Sequence, residues 1–413
     1  MALHSLNLTL FLSLLSLSTL SLSLTPFSPV DNHLLDCGST VASTLDDGRR
    51  FVPDSSASPL SIPLRNQNPN PNPNSPQIYQ TARIFRRPSK YEFQIRDPGT
   101  HMVRLHFQSF NSCNLDWSTA RFHVLVNGFV ALKVNNSGVS GVMIKEYLIW
   151  DLVADTAMYV SDGKASGFDG LARQAIQVVH RVNVGGSKVT PFNDSLWRTW
   201  STDEGFFHSG LGSERVYFGG RIKYQAGGAS REVGPDNVYN TARLIRSRNN
   251  SVANVNMTWV FPAVGGYKYL VRLHFCDIAS SSLGLLYFNV YVNGKLAYED
   301  LDLSKAANYM LASPFYADFV VDGDDSDSLS VSVGPSKASM PYAVDGILNG
   351  VEIMKLNNSV GSLDGEHCVL VPLVAAACVL LSLSMVTRRR IMKKKESVAW
   401  TKLPVDVSEV NAN

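Results

Sequence analysis

Three short blocks occur twice in this chain, in the same order and with similar gaps. Tyr79-Gln-Thr-Ala-Arg83 returns as Tyr239-Asn-Thr-Ala-Arg243, Val103-Arg-Leu-His-Phe107 as Val271-Arg-Leu-His-Phe275, and Val124-Leu-Val-Asn-Gly128 as Val290-Tyr-Val-Asn-Gly294. An ordered repeat of this kind requires two copies of one fold. The copies are far longer than solenoid units, so tandem domains are expected rather than stacked turns.

Both copies read as β-rich. Val103, Leu105 and Phe107 alternate with Arg104 and His106, the period of a half-buried strand. Phe288, Val290 and Val292 alternate in the same way before Asn293-Gly294, and Asn127-Gly128 closes the matching run in the first copy. Asn-Gly after such a run predicts a type I′ hairpin turn, because both residues tolerate positive φ. Short strands with turn signals and no long helical pattern imply an all-β fold, two jelly-roll β-sandwiches. The proline-rich stretch from Asn68 to Pro76 cannot enter a sheet interior and predicts an exposed loop.

The ends of the chain suggest a membrane topology. The apolar stretch Leu6 to Leu24 suits a signal peptide over residues 1–24, although no Lys or Arg precedes it; an N-terminal anchor is the alternative. The uncharged run Cys368 to Thr387 has the length of a transmembrane helix (residues 368–387). Arg388, Arg389, Arg390, Lys393, Lys394 and Lys395 follow at once, which places the 388–413 tail on the cytoplasmic side, against anionic lipid. A single-pass type I plasma-membrane protein with an extracellular ectodomain is therefore expected. The formal net charge of +2 owes much to that juxtamembrane cluster, which argues against nucleic-acid binding.

Cys37, Cys113 and Cys276 lie in the outer segment, so at most one bridge forms among them. Cys37 with Cys113 is the first pairing to expect, since Cys276 sits in an apolar strand and suits a small hydrophobe. Asn135, Asn193, Asn249, Asn256 and Asn357 each start an Asn-x-Ser/Thr glycosylation signal. No cofactor or metal is implied. Asp322-Gly-Asp-Asp-Ser-Asp327 lacks the distal glutamate of a calcium loop and reads as a turn between strands.

These residues resemble the plant receptor-like kinases with tandem malectin-like ectodomains. Leu34-Leu-Asp-Cys-Gly38 resembles the start of the first malectin-like domain, expected over residues 34–150. Arg181-Val-Asn-Val-Gly-Gly186 and Leu196-Trp-Arg-Thr-Trp200 resemble the start of the second, expected over 181–356, after a linker at 151–180 and before a stalk at 357–367. Asp345-Gly-Ile-Leu-Asn-Gly-Val-Glu-Ile353 resembles the strand that closes the second domain. The first copy has no counterpart and passes from Tyr147-Leu-Ile-Trp150 straight to Asp151-Leu-Val-Ala-Asp155. The missing strand predicts an unpaired edge and a weaker or rearranged first domain.

The family carries a cytoplasmic kinase, whereas this sequence has no Gly-rich phosphate loop, His-Arg-Asp triplet or Asp-Phe-Gly triplet. The chain is therefore expected not to be an enzyme. Malectin, an animal lectin of this fold, grips a glucose disaccharide between aromatic rings. The matching positions here are Ile84 and Leu244, with Asn111-Ser112 and Ala279-Ser280 after the next strand, so that cage is not expected. Arg83, Arg243, His106 and His274 read as scaffold. The ligand-binding candidates are Trp197 and Trp200, which could stack a sugar, and Arg231, Arg243 and Arg246, within a basic stretch that also holds Arg215, Arg221, Lys223 and Arg248. The resemblance implies rapid alkalinisation factor peptides, a glycosylphosphatidylinositol (GPI)-anchored co-receptor or pectic polysaccharide as partners. The expected function is a receptor-like protein without its own kinase. The alternative is a truncated fragment or incomplete gene model of such a receptor serine/threonine kinase.

Overall fold

The alternating apolar runs become strands throughout. The structure, a computed structural model, describes residues 29–54, 61–65, 75–97, 99–108, 121–135, 141–149, 157–161, 165–246, 255–339 and 343–365. The first copy supplies β1 (Leu35–Asp36), β2 (Ser43–Thr44), β3 (Arg50–Pro53), β4 (Ser61–Arg65), β5 (Thr81–Phe85), β6 (His101–Gln108), β7 (Arg121–Val126), β8 (Phe129–Asn135) and β9 (Val142–Ile149). Between the copies run β10 (Met158–Tyr159), β11 (Ser166–Gly167) and β12 (Ala175–Asn183). The second copy adds β13 (Ser201–Thr202), β14 (Phe207–Ser209), β15 (Ser213–Tyr217), β16 (Thr241–Arg246), β17 (Met257–Pro262) and β18 (Lys268–Cys276). It ends with β19 (Tyr287–Val292), β20 (Lys295–Asp302), β21 (Pro314–Asp322), β22 (Ser328–Pro335), β23 (Val344–Leu348) and β24 (Gly350–Leu356). Two four-residue helices, α1 (Asp236–Tyr239) and α2 (Leu303–Ala306), interrupt it.

The second copy is a β-sandwich. A five-stranded sheet ordered β14-β17-β22-β19-β20 faces β21, β18 and β24 of a larger sheet. Trp259, Phe261, Phe288, Val331 and Val333 from the first meet Leu273, Phe275, Phe319, Val351 and Ile353 from the second, all fully buried. Sidedness follows the sequence alternation, since Phe288, Val290 and Val292 are buried while their neighbours are half-exposed. Both predicted hairpin turns form: Asn127 and Gly128 have φ of 48° and 89°, and Asn293 and Gly294 have φ of 50° and 72°. Residues 323–327 make the turn between β21 and β22.

The larger sheet runs β11-β10-β21-β18-β24-β12-β9-β6, with β13 beside β12. One sheet therefore contains strands from both copies, and all described residues up to Leu363 belong to one compact unit. Strand β12 joins them: Ala175–Val178 pair with Ile149–Glu146 of β9 on one side, while Ile176–Asn183 pair with Leu356–Gly350 of β24 on the other. The expected boundary between residues 180 and 181 falls inside this strand. The expected linker also supplies part of a core. Ala157, Leu171 and Phe168 cover Ile176, Leu270, Val320, Met354 and Leu356 on the sheet face away from the sandwich.

The expected stalk differs as well. Leu363 is fully buried with Ala131, Tyr147 and Ala175, and Val103, Leu105, Val126 and Phe129 pack around it. Val130 bridges Ser362 in parallel, and Val130 N donates to Gly361 O while Leu363 N donates to Val130 O. The cause is the small first-copy sandwich. Among the described residues the β7-β8 pair packs against the shared sheet there, and its apolar side takes Leu363 as a filler. Burying one leucine contributes about 1.5–3 kcal/mol.

Cys37 is a half-buried free thiol that accepts from the Tyr91 hydroxyl at 3.7 Å; the expected bridge falls on Cys113, which lies outside the described residues. Cys276 is buried, as its apolar strand implied, and burial pushes its thiol pKa up. The signal peptide, the span at 368–387, Arg388 to Lys395, Asn249 and the prolines from Pro69 to Pro73 also lie outside the described residues. No helix among the described residues is long and apolar enough to cross a membrane.

Candidate functional site

The Tyr-x-Thr-x-Arg block places three polar side chains at alternate positions, so they share one side of the chain. In the second copy α1 delivers Tyr239, whose hydroxyl meets His274 Nδ1 at 2.9 Å. The Thr241 hydroxyl donates to Asn183 Oδ1 at 2.8 Å, and Arg243 Nε donates to Asp203 Oδ2 at 2.5 Å. The first copy builds the same knot: Tyr79 meets His106 Nδ1 at 2.8 Å, Thr81 donates to Asp36 at 2.7 Å, and Arg83 donates to Asp54 at 2.5 Å. Backbone completes both, with Gly38 N donating to Asp54 Oδ1 and Gly185 N to Asp203 Oδ1. Gly38 and Gly185 have φ of 83° and 71° and lie against the Ala82 and Ala242 carbonyls, where a side chain would collide. The reading of these arginines and histidines as scaffold agrees with this geometry. Their acid partners, Asp54 and Asp203, lie outside the three repeated blocks and were missed; the need of a buried guanidinium for a carboxylate is the signal that points to them.

A second polar feature crosses the shared sheet. Arg104 on β6, Glu146 on β9, Arg181 on β12, Glu352 on β24, Arg272 on β18 and Asp318 on β21 form one row of alternating charge. Arg104 Nε donates to Glu146 at 2.7 Å, Arg181 donates to Glu146 at 2.6 Å and to Glu352 at 2.7 Å, and Arg272 donates twice to Asp318 at 2.8 Å. Arg272 sits directly opposite Glu352 in the ladder, and Glu352 also meets His274 Nε2 at 3.2 Å. Burial pushes the Glu352 carboxyl up, but Arg181 and His274 outweigh it and hold its pKa well below the usual range. The carboxylates of this row are committed to arginines. Among the described residues, no group of three or more His, Cys, Asp or Glu is placed to hold a metal.

The candidate ligand residues separate. Trp200 is fully buried, donates from Nε1 to Asp194 at 2.9 Å, and has the Arg181 and Arg198 guanidiniums over its ring. Arg243 is buried over the Phe207 ring. Trp197 is half-buried at a φ of 53°. Arg231 pairs with Asp236 and stacks on Tyr224, Arg246 pairs with Glu214, and Arg215 pairs with Glu204. The basic stretch is thus largely neutralised. Arg221 and Lys223 are its exposed members with no ion pair among the described residues, and Arg248 lies outside them. At the lectin-like positions, Leu244 is in the core, and Ala279 and Ser280 form a turn whose N–H groups donate to Asp277 Oδ1. Of the glycosylation asparagines, Asn193 is exposed and Asn256 half-buried. Asn135 ends β8. Asn357 uses Oδ1 to accept from Ala175 N.

This sandwich with its repeated polar knots is of the malectin-like class. The Malectin-like domain family matches residues 154–356. A probable receptor-like protein kinase of Arabidopsis thaliana is 38% identical over 450 residues, covering 96% of this chain and 54% of that protein. Receptor-like protein kinase THESEUS 1 of Arabidopsis thaliana is 34% identical over 404 residues, covering 88% of this chain and 46% of that protein. The chain thus contains a malectin-like domain and is homologous to Arabidopsis receptor-like kinases, about half of whose length it spans. Among solved structures, the ANXUR1 extracellular domain from Arabidopsis thaliana aligns with a TM-score of 0.69 at 25% identity, covering 81% of this chain and 99% of that one. A chain of the plant peptide RALF23 complex with FER and LLG2 aligns with a TM-score of 0.66 at 27% identity, covering 82% of this chain and 99% of that one.

Proposed function

We propose that these residues form the extracellular, non-catalytic part of a type I plasma-membrane receptor-like protein, which binds a secreted peptide of the rapid alkalinisation factor type together with a GPI-anchored co-receptor. The carrying observation is the alignment over nearly the full length of a chain from the RALF23–FER–LLG2 complex. Electrostatics favours a peptide over pectic polysaccharide. A polyanion needs several unpaired cations, and Arg215, Arg231, Arg243 and Arg246 each already hold a carboxylate, which leaves Arg221 and Lys223 as the exposed members of the stretch with no ion pair among the described residues. The protein would hold its ligand at the cell surface, and its effect on signalling would follow mass action.

The test displays the full chain on plant protoplasts and titrates a fluorescent rapid alkalinisation factor peptide, with and without the co-receptor, beside oligogalacturonide. Saturable peptide binding strengthened by the co-receptor is expected. Binding of oligogalacturonide alone would replace the peptide reading with the wall-polysaccharide one. A second reading, the ectodomain part of a longer receptor serine/threonine kinase, is favoured by the share of its relatives that the chain spans. Full-length transcript sequencing that joins a kinase segment downstream would establish it.

A further inference from the structure

The two copies supply an internal template for each other. Strand β1 pairs in parallel with β3, Leu35 opposite Val52 and Asp36 opposite Pro53; the end of β12 pairs in parallel with β13, Val182 opposite Ser201 and Asn183 opposite Thr202. Strand β6 pairs with β9, Arg104 opposite Glu146; β18 pairs with β21, Arg272 opposite Asp318. In the second copy β24 lies between these two units, paired with β12 on one side and β18 on the other. In the first copy β6 ends its sheet and β1 has β3 as its sole strand neighbour among the described residues. The walls of the position remain fixed in place by the Tyr79–His106 and Thr81–Asp36 hydrogen bonds.

The histidine that β24 meets in the second copy lacks that contact in the first among the described residues. Glu352 meets His274 Nε2, whereas His106 has Tyr79 on Nδ1 and no carboxylate in hydrogen-bond contact among the described residues. Gln108 Oε1, at the end of β6, is buried without a hydrogen-bond partner. In the second copy the matching histidine, His274, is met by the Glu352 carboxylate from β24, so the template places an acidic side chain opposite His106. An open strand edge with fixed walls accepts an added strand through its backbone, and the side-chain positions set which strand fits.

We propose that the first copy holds an open strand position between β1 and β6, and that a separate polypeptide fills it with an extended segment carrying a carboxylate opposite His106. The partner strand runs antiparallel to β6, as β24 runs to β18, with apolar residues on either side of its acid. This site stands apart from the peptide and co-receptor reading above and does not depend on it.

The experiment uses the full chain in detergent and hydrogen exchange as readout. The probe is a synthetic peptide of residues 346–356, Gly-Ile-Leu-Asn-Gly-Val-Glu-Ile-Met-Lys-Leu, beside the same peptide with Glu352→Gln. By analogy with β18, the amides of Met102, Arg104, His106 and Gln108 face the open edge. They are expected to exchange fast in the free chain and at least ~10-fold more slowly with peptide bound. The Glu352→Gln peptide is expected to bind ~10-fold more weakly, the scale of one charge-assisted hydrogen bond. A His106→Asn chain should bind both peptides equally while keeping the amide protection. Three outcomes overturn the proposal. They are slow exchange of these amides in the free chain, no slowing with peptide, and changes confined to β18, where the peptide would have displaced β24.

Discussion

Glu352 shows how much one buried carboxylate can organise. It accepts from Arg181, sits opposite Arg272 and meets His274, which ties β12 and β18 to β24. Replacing it with glutamine leaves buried cations uncompensated, and the expected loss is about 3–5 kcal/mol in urea unfolding. Its depressed pKa also sets an acid limb. The stability it supplies is complete above the unfolded value of about 4.3 and is lost as pH falls through the folded one. Glu352→Gln should therefore flatten the stability–pH curve below about pH 4. His106 acts in a neighbouring window. Burial, with Arg104 and Arg49, pushes its pKa down to about 4, so the unfolded chain takes the proton first. Its contribution is present above about pH 6.5 and is lost as pH falls toward 4. His106→Asn should remove that slope, measured as the melting temperature of the first copy across the window; an unchanged slope would assign it to His180 or His274, whose pKa values are also lowered by burial. At Gly185, alanine would need positive φ and would strike the Ala242 carbonyl, so Gly185→Ala should destabilise the second copy where Gly205→Ala, in open space, should not.

At the scale of elements, the informative pieces are β12 and the strap that follows β24. The strap fills the side of the first-copy core that β7 and β8 leave open. Leu363→Ala should cost about 2–5 kcal/mol, the range for truncating a buried leucine. The loss should appear as faster amide exchange in β6, β8 and β9 with little change in β17 or β22. Equal acceleration in all five strands would mean that Leu363 supports the whole unit instead. The repeated blocks, both hairpin turns and the buried Cys276 were legible in the sequence because each depends on local period or turn chemistry. The role of Leu363 was not legible. A lone leucine after Gly361-Ser362 carries no periodicity, and its burial depends on a gap in a distant part of the fold. The same holds for Trp200 and Arg243, whose residue types suit a ligand but whose depth in the structure commits them to Asp194 and Asp203.

For the whole molecule, the shared sheet makes the copies unequal partners. The second has a full sandwich, whereas every residue of β6 is only half-buried. The alignment with one relative extends over 450 positions, more than the 413 residues here, so that relative carries segments this chain lacks. A strand missing from the first copy accords with this. Limited proteolysis of the full chain should cut the first copy before the second, and equal resistance of both would count against that ranking. A fragment of residues 181–356 should melt well below one of residues 165–363, because it divides β12 and discards Phe168, Leu171 and Ile176, which pack on Leu270, Val320, Met354 and Leu356. Equal melting temperatures would restore residue 181 as a true domain boundary.

By itself the sequence determined the duplication, the β-rich character, the turn positions and the resemblance to malectin-like receptors, since these follow from period, turn residues and order along the chain. Only the tertiary structure decided that β12 binds both copies into one sheet, that the expected stalk closes a core, and which arginines are neutralised. Those outcomes rest on pairings between residues far apart in sequence, such as Glu146 with Arg181 and Val130 with Ser362, and local pattern holds no record of which distant partner a side chain will meet.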